Sequence, residues 1–268
     1  MSKIIDAFMF GLEYELEILK WRFEYLSPRV DYFVLVEALY DQMGRPKPAF
    51  FLENRSMFEN YLSRTIHVVL QHPVTQVPGS WENENHQRNS IIKGLTKIPY
   101  SKEDIIIISD LDEFPSLAAI DYYIANQEKG VYSLNQSMFY YFVNLRARYD
   151  WRGSQIFRGV LLEGGASIQK IRDARERLPV LPLHGGWHFS YLGGVNSVLK
   201  KINSVCESDV HKPYNNEGVI AEFIERRRLH FNGAELDKLE VPFIAEKELP
   251  GTLVNRKDEL IAKGFMLP

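Results

Sequence analysis

The chain has 268 residues, of which 45% are hydrophobic and 13% are aromatic. This composition excludes a disordered chain and is enough for one large folded domain. The formal net charge is −3, from 32 basic and 35 acidic residues, so no overall basicity indicates nucleic-acid binding. The single cysteine, Cys206, excludes an internal disulfide and a cysteine-rich metal site.

The N-terminus carries none of the features of a signal peptide, because a strand-like run begins already at Ile4. No apolar segment is long enough to span a bilayer. We therefore expect a protein without a transmembrane segment that is kept in a reducing cytoplasm.

Strands and helices alternate through the first half of the chain. Hydrophobic periodicity predicts strands at 4–10, 32–36, 66–70 and 105–108, separated by helices at 13–26, 54–62 and 82–95. This alternation is typical of a mostly parallel sheet with crossover helices. No glycine-rich dinucleotide motif follows the first strand, and no phosphate-binding loop is present, so those nucleotide-binding classes are excluded.

The second half of the chain is rich in aromatic residues. One or two strands are predicted over 131–145, a loop-rich basic segment over 146–177, and helices over 196–207 and 219–230. The tail after Leu249 is short and is expected to lie across the surface. We expect the first half to bind a nucleotide-like ligand and the second half to shape another substrate site.

A run of four isoleucines marks the most informative strand. The segment 105–108 is typical of a strand buried on both faces, and Asp110, Asp112 and Glu113 follow it directly. In open α/β sheets, ligands bind beyond the carboxyl ends of the strands. Carboxylates at this spacing suit Mg²⁺ or Mn²⁺, which in turn suit a phosphate-bearing substrate. The alternative is that the acidic residues only cap the helix predicted at 116–126.

A glycine-bracketed aromatic segment over 184–194 is the second notable element. If it forms a short strand, Trp187 and Tyr191 share one face and His188 lies on the other. Trp187 could then stack on a sugar ring, and His188 could complete a metal site or act as a base. The alternative is an aromatic core strand with a hydrogen-bonded histidine.

Further candidates lie near the carboxyl ends of the predicted strands. Arg88 and Asn89 follow the third strand and could bind a phosphate, or could lie on an exposed helix surface. Glu37 ends the second strand and could bind a ribose or base, or could cap a helix. Four arginines could provide countercharges for a diphosphate or could simply be solvated: Arg146, Arg148, Arg152 and Arg158.

Taken in order along the chain, these motifs resemble the family 17 glycosyltransferases. The segments that carry the resemblance are 21–26, 30–37, 44–48, 87–89, 109–115 and 186–190. The resemblance implies an α/β fold of the GT-A-like type, with a mostly parallel central sheet flanked by helices. The resemblance extends from the first strand to about residue 200. Because no linker divides the chain, we expect one glycosyltransferase domain over 1–268, in which 1–115 binds the nucleotide sugar and 116–268 faces the acceptor.

The resemblance further implies an inverting, metal-dependent transfer from a nucleotide sugar such as UDP-GlcNAc to a glycan acceptor. Asp110 and Asp112 would then hold Mn²⁺ or Mg²⁺, with His188 as a further possible ligand. An inverting transfer needs a base for the acceptor hydroxyl. The candidates for this base are Glu113, His188 and Asp209.

Two other classes of protein also fit parts of the sequence. An aspartyl-nucleophile phosphatase places two aspartates after an apolar strand, although usually the first strand of the fold. A carbohydrate-binding protein could use Trp187, Tyr191 and the aromatic run 139–142, but it has no need of a carboxylate pair on a buried strand.

Overall fold

The fold is a mixed β-sheet with helices packed on it. The structure is a computed structural model that describes residues 2–77, 79–206, 208–241, 244 and 248–268. At 208 and 209 it describes the backbone only. The described strands are β1 (Ile4–Phe10), β2 (Tyr32–Ala38), β3 (Thr65–Leu70), β4 (Ile105–Asp110), β5 (Glu113–Pro115), β6 (Tyr132–Tyr140), β7 (Leu145–Arg158), β8 (Gly186–Ser190) and β9 (Leu236–Lys238).

Helices lie on both sides of this sheet. The α-helices are α1 (Glu15–Leu26), α2 (Phe50–Glu53), α3 (Glu59–Leu62), α4 (Glu82–Asn89), α5 (Ile91–Leu95), α6 (Leu117–Ala125), α7 (Val160–Glu163), α8 (Ile168–Asp173), α9 (Gly194–Ser204), α10 (Ser208–His211), α11 (Glu217–Glu225), α12 (Gly251–Val254) and α13 (Lys257–Ala262). Short 3₁₀ helices cover Arg55–Phe58 and Lys212–Tyr214. Within the described residues, no helix combines the length and apolarity that a bilayer span requires.

The strand order confirms the predicted α/β class. The sheet runs β3-β2-β1-β4-β7-β6-β8-β5, and β9 pairs with β7. The four strands of the first half pair in parallel, as the alternation of strands and helices predicts. Strands from both halves of the chain share this sheet, since β7 pairs antiparallel with β4.

The isoleucine strand is buried on both faces, as predicted. Ile105 and Ile107 pack into the core on one side of the sheet, whereas Ile106 and Ile108 pack into the core on the other side. Because side chains alternate along a strand, only an unbroken apolar run can fill both cores. The strand therefore has a fixed position, and its carboxyl end delivers Asp110 to the sheet edge.

The strand predicted within the glycine-bracketed segment is confirmed as β8. Gly186 has a φ of 130°, and a Cβ on this residue would collide with the carbonyl oxygen of Phe114 on β5. Glycine therefore allows β5 and β8 to approach closely enough to pair. This pairing brings His188 opposite Glu113 in the register of the two strands.

The prediction of a loop-rich segment over 146–177 was wrong. Regular elements cover most of it, namely β7, a strand of 14 residues, followed by α7 and α8. The polar composition of this segment does not indicate a strand, because part of β7 is exposed to solvent. The strand forms because β4 and β6 supply its backbone hydrogen-bond partners. The tail is also more deeply packed than expected, since Phe265 lies against Trp21 of α1.

A fully buried ion pair joins α1 to the sheet. Arg22 donates from Nε and Nη2 to the two carboxylate oxygens of Asp6 on β1, at 2.8 and 2.6 Å. The same guanidinium donates from Nη1 to the carbonyl oxygens of Leu111, at 3.1 Å, and of Glu113. One side chain therefore fixes α1, β1 and the turn that follows β4.

We expect Arg22→Met to lower the free energy of unfolding by roughly 3–5 kcal/mol, because the change leaves the Asp6 carboxylate buried without its partner. Urea unfolding followed by circular dichroism measures this change. Arg29→Met is the matched control, because Arg29 pairs with Asp121 at the surface and both side chains are about half exposed. Similar losses in the two variants would contradict this account of Arg22.

Candidate active site

A cleft of about 780 Å³ opens at the carboxyl ends of β1 and β4. Phe10 and Gly11 after β1, and Asp110 and Asp112 after β4, line its floor. This is the edge at which open α/β sheets bind ligands, so the position of the cleft agrees with the expectation from the sequence. Lys201 of α9 faces these carboxylates from the second half of the chain.

Asp110 lies between two buried arginines. Its Oδ1 accepts a hydrogen bond from Arg88 Nη2 at 2.9 Å, and its Oδ2 accepts one from Arg172 Nη2 at 2.8 Å. Burial raises the pKa of the Asp110 carboxyl, but the charges of Arg172 and Arg88 outweigh burial and hold the pKa below its usual range. The side chain is 30% exposed to the cleft, so Asp110 is an ionised carboxylate within reach of a ligand.

Asp112 lies deeper, between a lysine and a histidine. Lys201 Nζ is 2.8 Å from Oδ2, and His188 Nε2 is 3.4 Å from Oδ1. Burial raises the pKa of the Asp112 carboxyl, but Lys201 and His188 together lower it well below the usual range. Burial lowers the pKa of Lys201, yet Asp112 raises it well above the ordinary value, so both groups of this pair are charged.

Glu113 lies beneath the cleft and is fully buried. Arg172 donates to both of its carboxylate oxygens, at 2.6 and 3.0 Å, and Trp151 Nε1 donates to Oε1 at 2.8 Å. Oε2 also accepts from the backbone N–H of Asp110 at 3.1 Å. Both oxygens are therefore engaged, and Glu113 orients Arg172 and Asp110 from behind instead of facing a substrate.

Aromatic side chains form the wall of the cleft on the side of the second half. Tyr140, Tyr149, Trp151, Tyr191 and Phe231 all line it. Tyr140 and Tyr149 are joined through their hydroxyls at 2.9 Å. Such rings combine a flat apolar face with a polar edge, which suits the faces and hydroxyls of a sugar.

Three of the predicted binding residues lie outside this cleft. The carboxylate of Glu37 accepts from the backbone N–H of Phe51 at 2.7 Å, so Glu37 caps α2, which was the alternative from the sequence. Asn89 accepts from Ser167 Oγ at 2.8 Å and from the first turn of α8. Trp187 points into the core, where its Nε1 donates to the carbonyl of Glu248 at 2.8 Å.

Other predicted residues divide between the cleft and the surface. Arg88, Asp110, Asp112 and His188 converge on the cleft, whereas the side chain of Asp209 lies outside the described residues. Four arginines expected as countercharges form ion pairs elsewhere, with acidic residues that do not line the cleft: Arg146, Arg148, Arg152 and Arg158.

Sequence reasoning missed Arg172, Lys201 and Trp151. Arg172 lies on α8, within the segment that was predicted to be mostly loop. Without a predicted helix, the sequence did not indicate that this side chain points inward. Lys201 lies on a predicted helix, three residues after the buried Val198, and this spacing places it on the inward face. That spacing was the available signal for Lys201.

The three expected metal ligands do not converge as one set. Asp112 and His188 are adjacent, but both Asp110 oxygens are bound to arginines. Within the part of the chain that the structure describes, no group of three or more His, Cys, Asp and Glu side chains could hold a metal. Mg²⁺ is often bound by one or two carboxylates together with substrate phosphates. Lys201 occupies Oδ2 of Asp112, whereas Oδ1 has only His188 Nε2 at 3.4 Å, so Oδ1 is the oxygen that could hold a cation carried by a phosphate ligand.

A chain of buried hydrogen bonds begins at the rim of the cleft. Tyr191 Oη is 3.1 Å from His211 Nε2, His211 Nδ1 is 3.0 Å from His230 Nε2, and His230 Nδ1 is 2.9 Å from Tyr141 Oη. Burial, together with the neighbouring His211, lowers the pKa of His230 to about 4. The network therefore holds His230 neutral near pH 7 and fixes the aromatic wall.

Comparison with known proteins identifies the family of the chain. The model of glycosyltransferase family 17 matches residues 1–215. The chain belongs to this family. The resemblance stated from the sequence motifs is therefore confirmed. The strand order has already confirmed the α/β class of the fold.

Curated relatives match over a shorter segment. The chain is 28% identical over 119 residues to the β-1,4-mannosyl-glycoprotein 4-β-N-acetylglucosaminyltransferases of Rattus norvegicus and Homo sapiens. In each case the match covers 42% of this chain and 22% of the relative.

Solved structures show weaker likeness. A 4-diphosphocytidyl-2C-methyl-D-erythritol synthase has 18% identity and a TM-score of 0.41, covering 69% of this chain and 89% of that chain. A putative nucleotide-diphospho-sugar transferase from Desulfovibrio desulfuricans has 15% identity and a TM-score of 0.35, covering 83% of this chain and 99% of that chain. At these scores the likenesses support no inference about activity.

The buried His230 predicts a loss of stability in mild acid. The unfolded chain takes up a proton at this histidine below about pH 6.5, while the folded protein keeps it neutral down to a pKa of about 4. His230 therefore contributes its full stability above about pH 6.5 and loses it as the pH falls towards 4. We expect the free energy of unfolding, measured with urea, to fall by about 1–2 kcal/mol between neutral pH and pH 5 because of this residue. His230→Gln lacks the titrating group, so an equal fall in this variant would contradict the assignment to His230.

Proposed function

We propose that this chain is an inverting, metal-dependent glycosyltransferase that transfers a sugar from a nucleotide-sugar donor to a glycan acceptor. The observation that carries the proposal is the Asp110 and Asp112 pair at the end of a buried strand, on the floor of the cleft. Membership of glycosyltransferase family 17 supports the reaction class. N-acetylglucosamine from UDP-GlcNAc is proposed as the transferred group because the curated relatives carry that activity in their names.

The charges along the cleft suit a nucleoside diphosphate. Arg88, Arg172, Arg175 and Lys201 line it and can face the phosphates of a donor. The first two are held by Asp110, and Lys201 is held by Asp112, so these cations have fixed positions before a ligand arrives. Preorganised charges stabilise a developing negative charge without the cost of reorienting solvent.

A divalent cation, Mn²⁺ or Mg²⁺, would be held by Asp112, with His188 beside it. When bound, it neutralises part of the negative charge that develops on the leaving diphosphate. Lys201 occupies the second oxygen of Asp112 and keeps this carboxylate ionised. Asp110 keeps Arg88 and Arg172 directed towards the same end of the cleft.

The acceptor hydroxyl must lose a proton as its oxygen attacks the anomeric carbon and the bond to the diphosphate breaks. Of the three candidate bases, Glu113 is enclosed and the side chain of Asp209 lies outside the described residues. His188 lines the cleft beside Asp112, and we propose it as the base that takes up the proton. The aromatic wall offers the glycan acceptor flat surfaces beside this histidine.

Turnover of nucleotide sugars tests the proposal. We expect release of UDP from UDP-GlcNAc in the presence of mixed glycan acceptors and Mn²⁺, and a loss of roughly 10²–10³-fold in Asp112→Asn, because removal of one preorganised charge has effects of this size. A coupled assay for free nucleoside diphosphate measures both.

Asp121→Asn is the matched control, because Asp121 is a surface carboxylate outside the cleft. Full turnover in Asp112→Asn would contradict the role of this residue. Hydrolysis of phosphate monoesters without any sugar transfer would favour a phosphatase. Glycan binding that persists in chelator, with no turnover of any nucleotide sugar, would favour a carbohydrate-binding protein.

A further inference from the structure

Lys47 lines the cleft but has no role in the proposed reaction described above. It belongs to the loop between β2 and α2. The cleft and a second cavity of about 600 Å³ lie next to each other, and Lys47 lines both of them. Leu12, Asp41 and Ser204 also line both cavities, so the two spaces share this boundary.

The loop that carries Lys47 is held in one conformation. Tyr40 forms an antiparallel bridge with Pro46, and the backbone N–H of Lys47 donates to the carbonyl of Leu39 at 3.0 Å. Gly44 has a φ of 80°, and a Cβ there would lie 2.5 Å from the carbonyl oxygen of Thr75, so glycine is needed at this turn. The backbone of Lys47 is therefore fixed, while its four-carbon stem can still rotate.

The ammonium group of Lys47 is shielded from solvent and has no hydrogen-bond partner among the described residues. The other cations of the second cavity are paired, since Arg45 binds Asp41 at 2.6 Å and Lys200 binds Glu13 at 3.3 Å. Burial lowers the pKa of Lys47, although Glu37, Glu15 and Asp41 oppose this effect. Its Nζ lies 5.4 Å from the centre of the Phe50 ring, a contact that compensates only part of the charge. A shielded charge without a hydrogen-bond partner is costly, and an anionic ligand would remove that cost.

We propose that Lys47 binds the diphosphate of the donor and so distinguishes a nucleoside diphosphate from the bare nucleoside. Lys47 and Lys201 both line the cleft, and Ser204, which lies three residues after Lys201 on α9, lines both cavities as Lys47 does. Rotation about the four-carbon stem of Lys47 directs its Nζ into the cleft. This inference rests on the proposed function, because it takes the ligand to be a nucleotide sugar.

Calorimetry with two ligands tests the inference. We expect Lys47→Met to weaken UDP binding by roughly 30-fold or more, because a close charge pair is lost, and to change uridine binding less than about twofold. Lys47→Arg, which keeps the charge, should retain UDP affinity within a few fold. The matched control is Lys200→Met, which removes a lysine from the second cavity that is 60% exposed and paired with Glu13, and should leave UDP affinity within about twofold.

Thermal unfolding without ligand gives an independent readout. Lys47→Met should raise the Tm by about 2 °C or more, because it removes a shielded charge that has no hydrogen-bond partner among the described residues. A role in packing alone predicts a lower Tm instead.

Three results would overturn the inference. The first is unchanged UDP affinity in Lys47→Met. The second is an equal loss of UDP and uridine binding, which would indicate a structural role for Lys47. The third is a lower Tm in Lys47→Met. In each of these cases the proposed function stands, because the wild-type protein still binds UDP. Absence of UDP binding by the wild-type protein would contradict the proposed function itself.

Discussion

The position of the candidate site depends on the guanidinium of Arg22. This group is fully buried, pairs with Asp6 on β1, and donates to the carbonyl groups of the turn after β4. A planar guanidinium has five donors in fixed directions, so it can satisfy a carboxylate and a turn together. The end of β4, which carries Asp110, and the turn that carries Asp112 are thereby attached to the core.

Above this buried pair, the site consists of carboxylates that are each matched by cations. Glu113 holds Arg172, Arg172 and Arg88 hold Asp110, and Lys201 holds Asp112. Each charge is satisfied from inside the protein, so the positions of the cations do not depend on a ligand. A diphosphate that enters the cleft meets positive groups that are already oriented, which reduces the cost of binding it.

The sequence predicted the parts of the fold that local pattern determines. Mostly apolar runs identified the parallel strands, because a strand in the middle of such a sheet packs against an apolar core on each face. The carboxylates after Ile108 were predicted at the ligand edge for the same reason. Strand β7 was missed because it takes its pairing from β4 and β6, which local composition does not show. Arg172 and Lys201 reach the site only through tertiary packing, so their partners could not be deduced from spacing alone.

A crystal structure of the protein with UDP and Mn²⁺ would show the donor and the cation in one experiment, because anomalous scattering locates the metal independently of the nucleotide. The proposed site predicts Mn²⁺ about 2 Å from a carboxylate oxygen of Asp112. It also predicts the diphosphate inside the cleft, next to Lys201 and the arginines that hold Asp110. A nucleotide bound outside this cleft, or a metal bound away from Asp112, would contradict it.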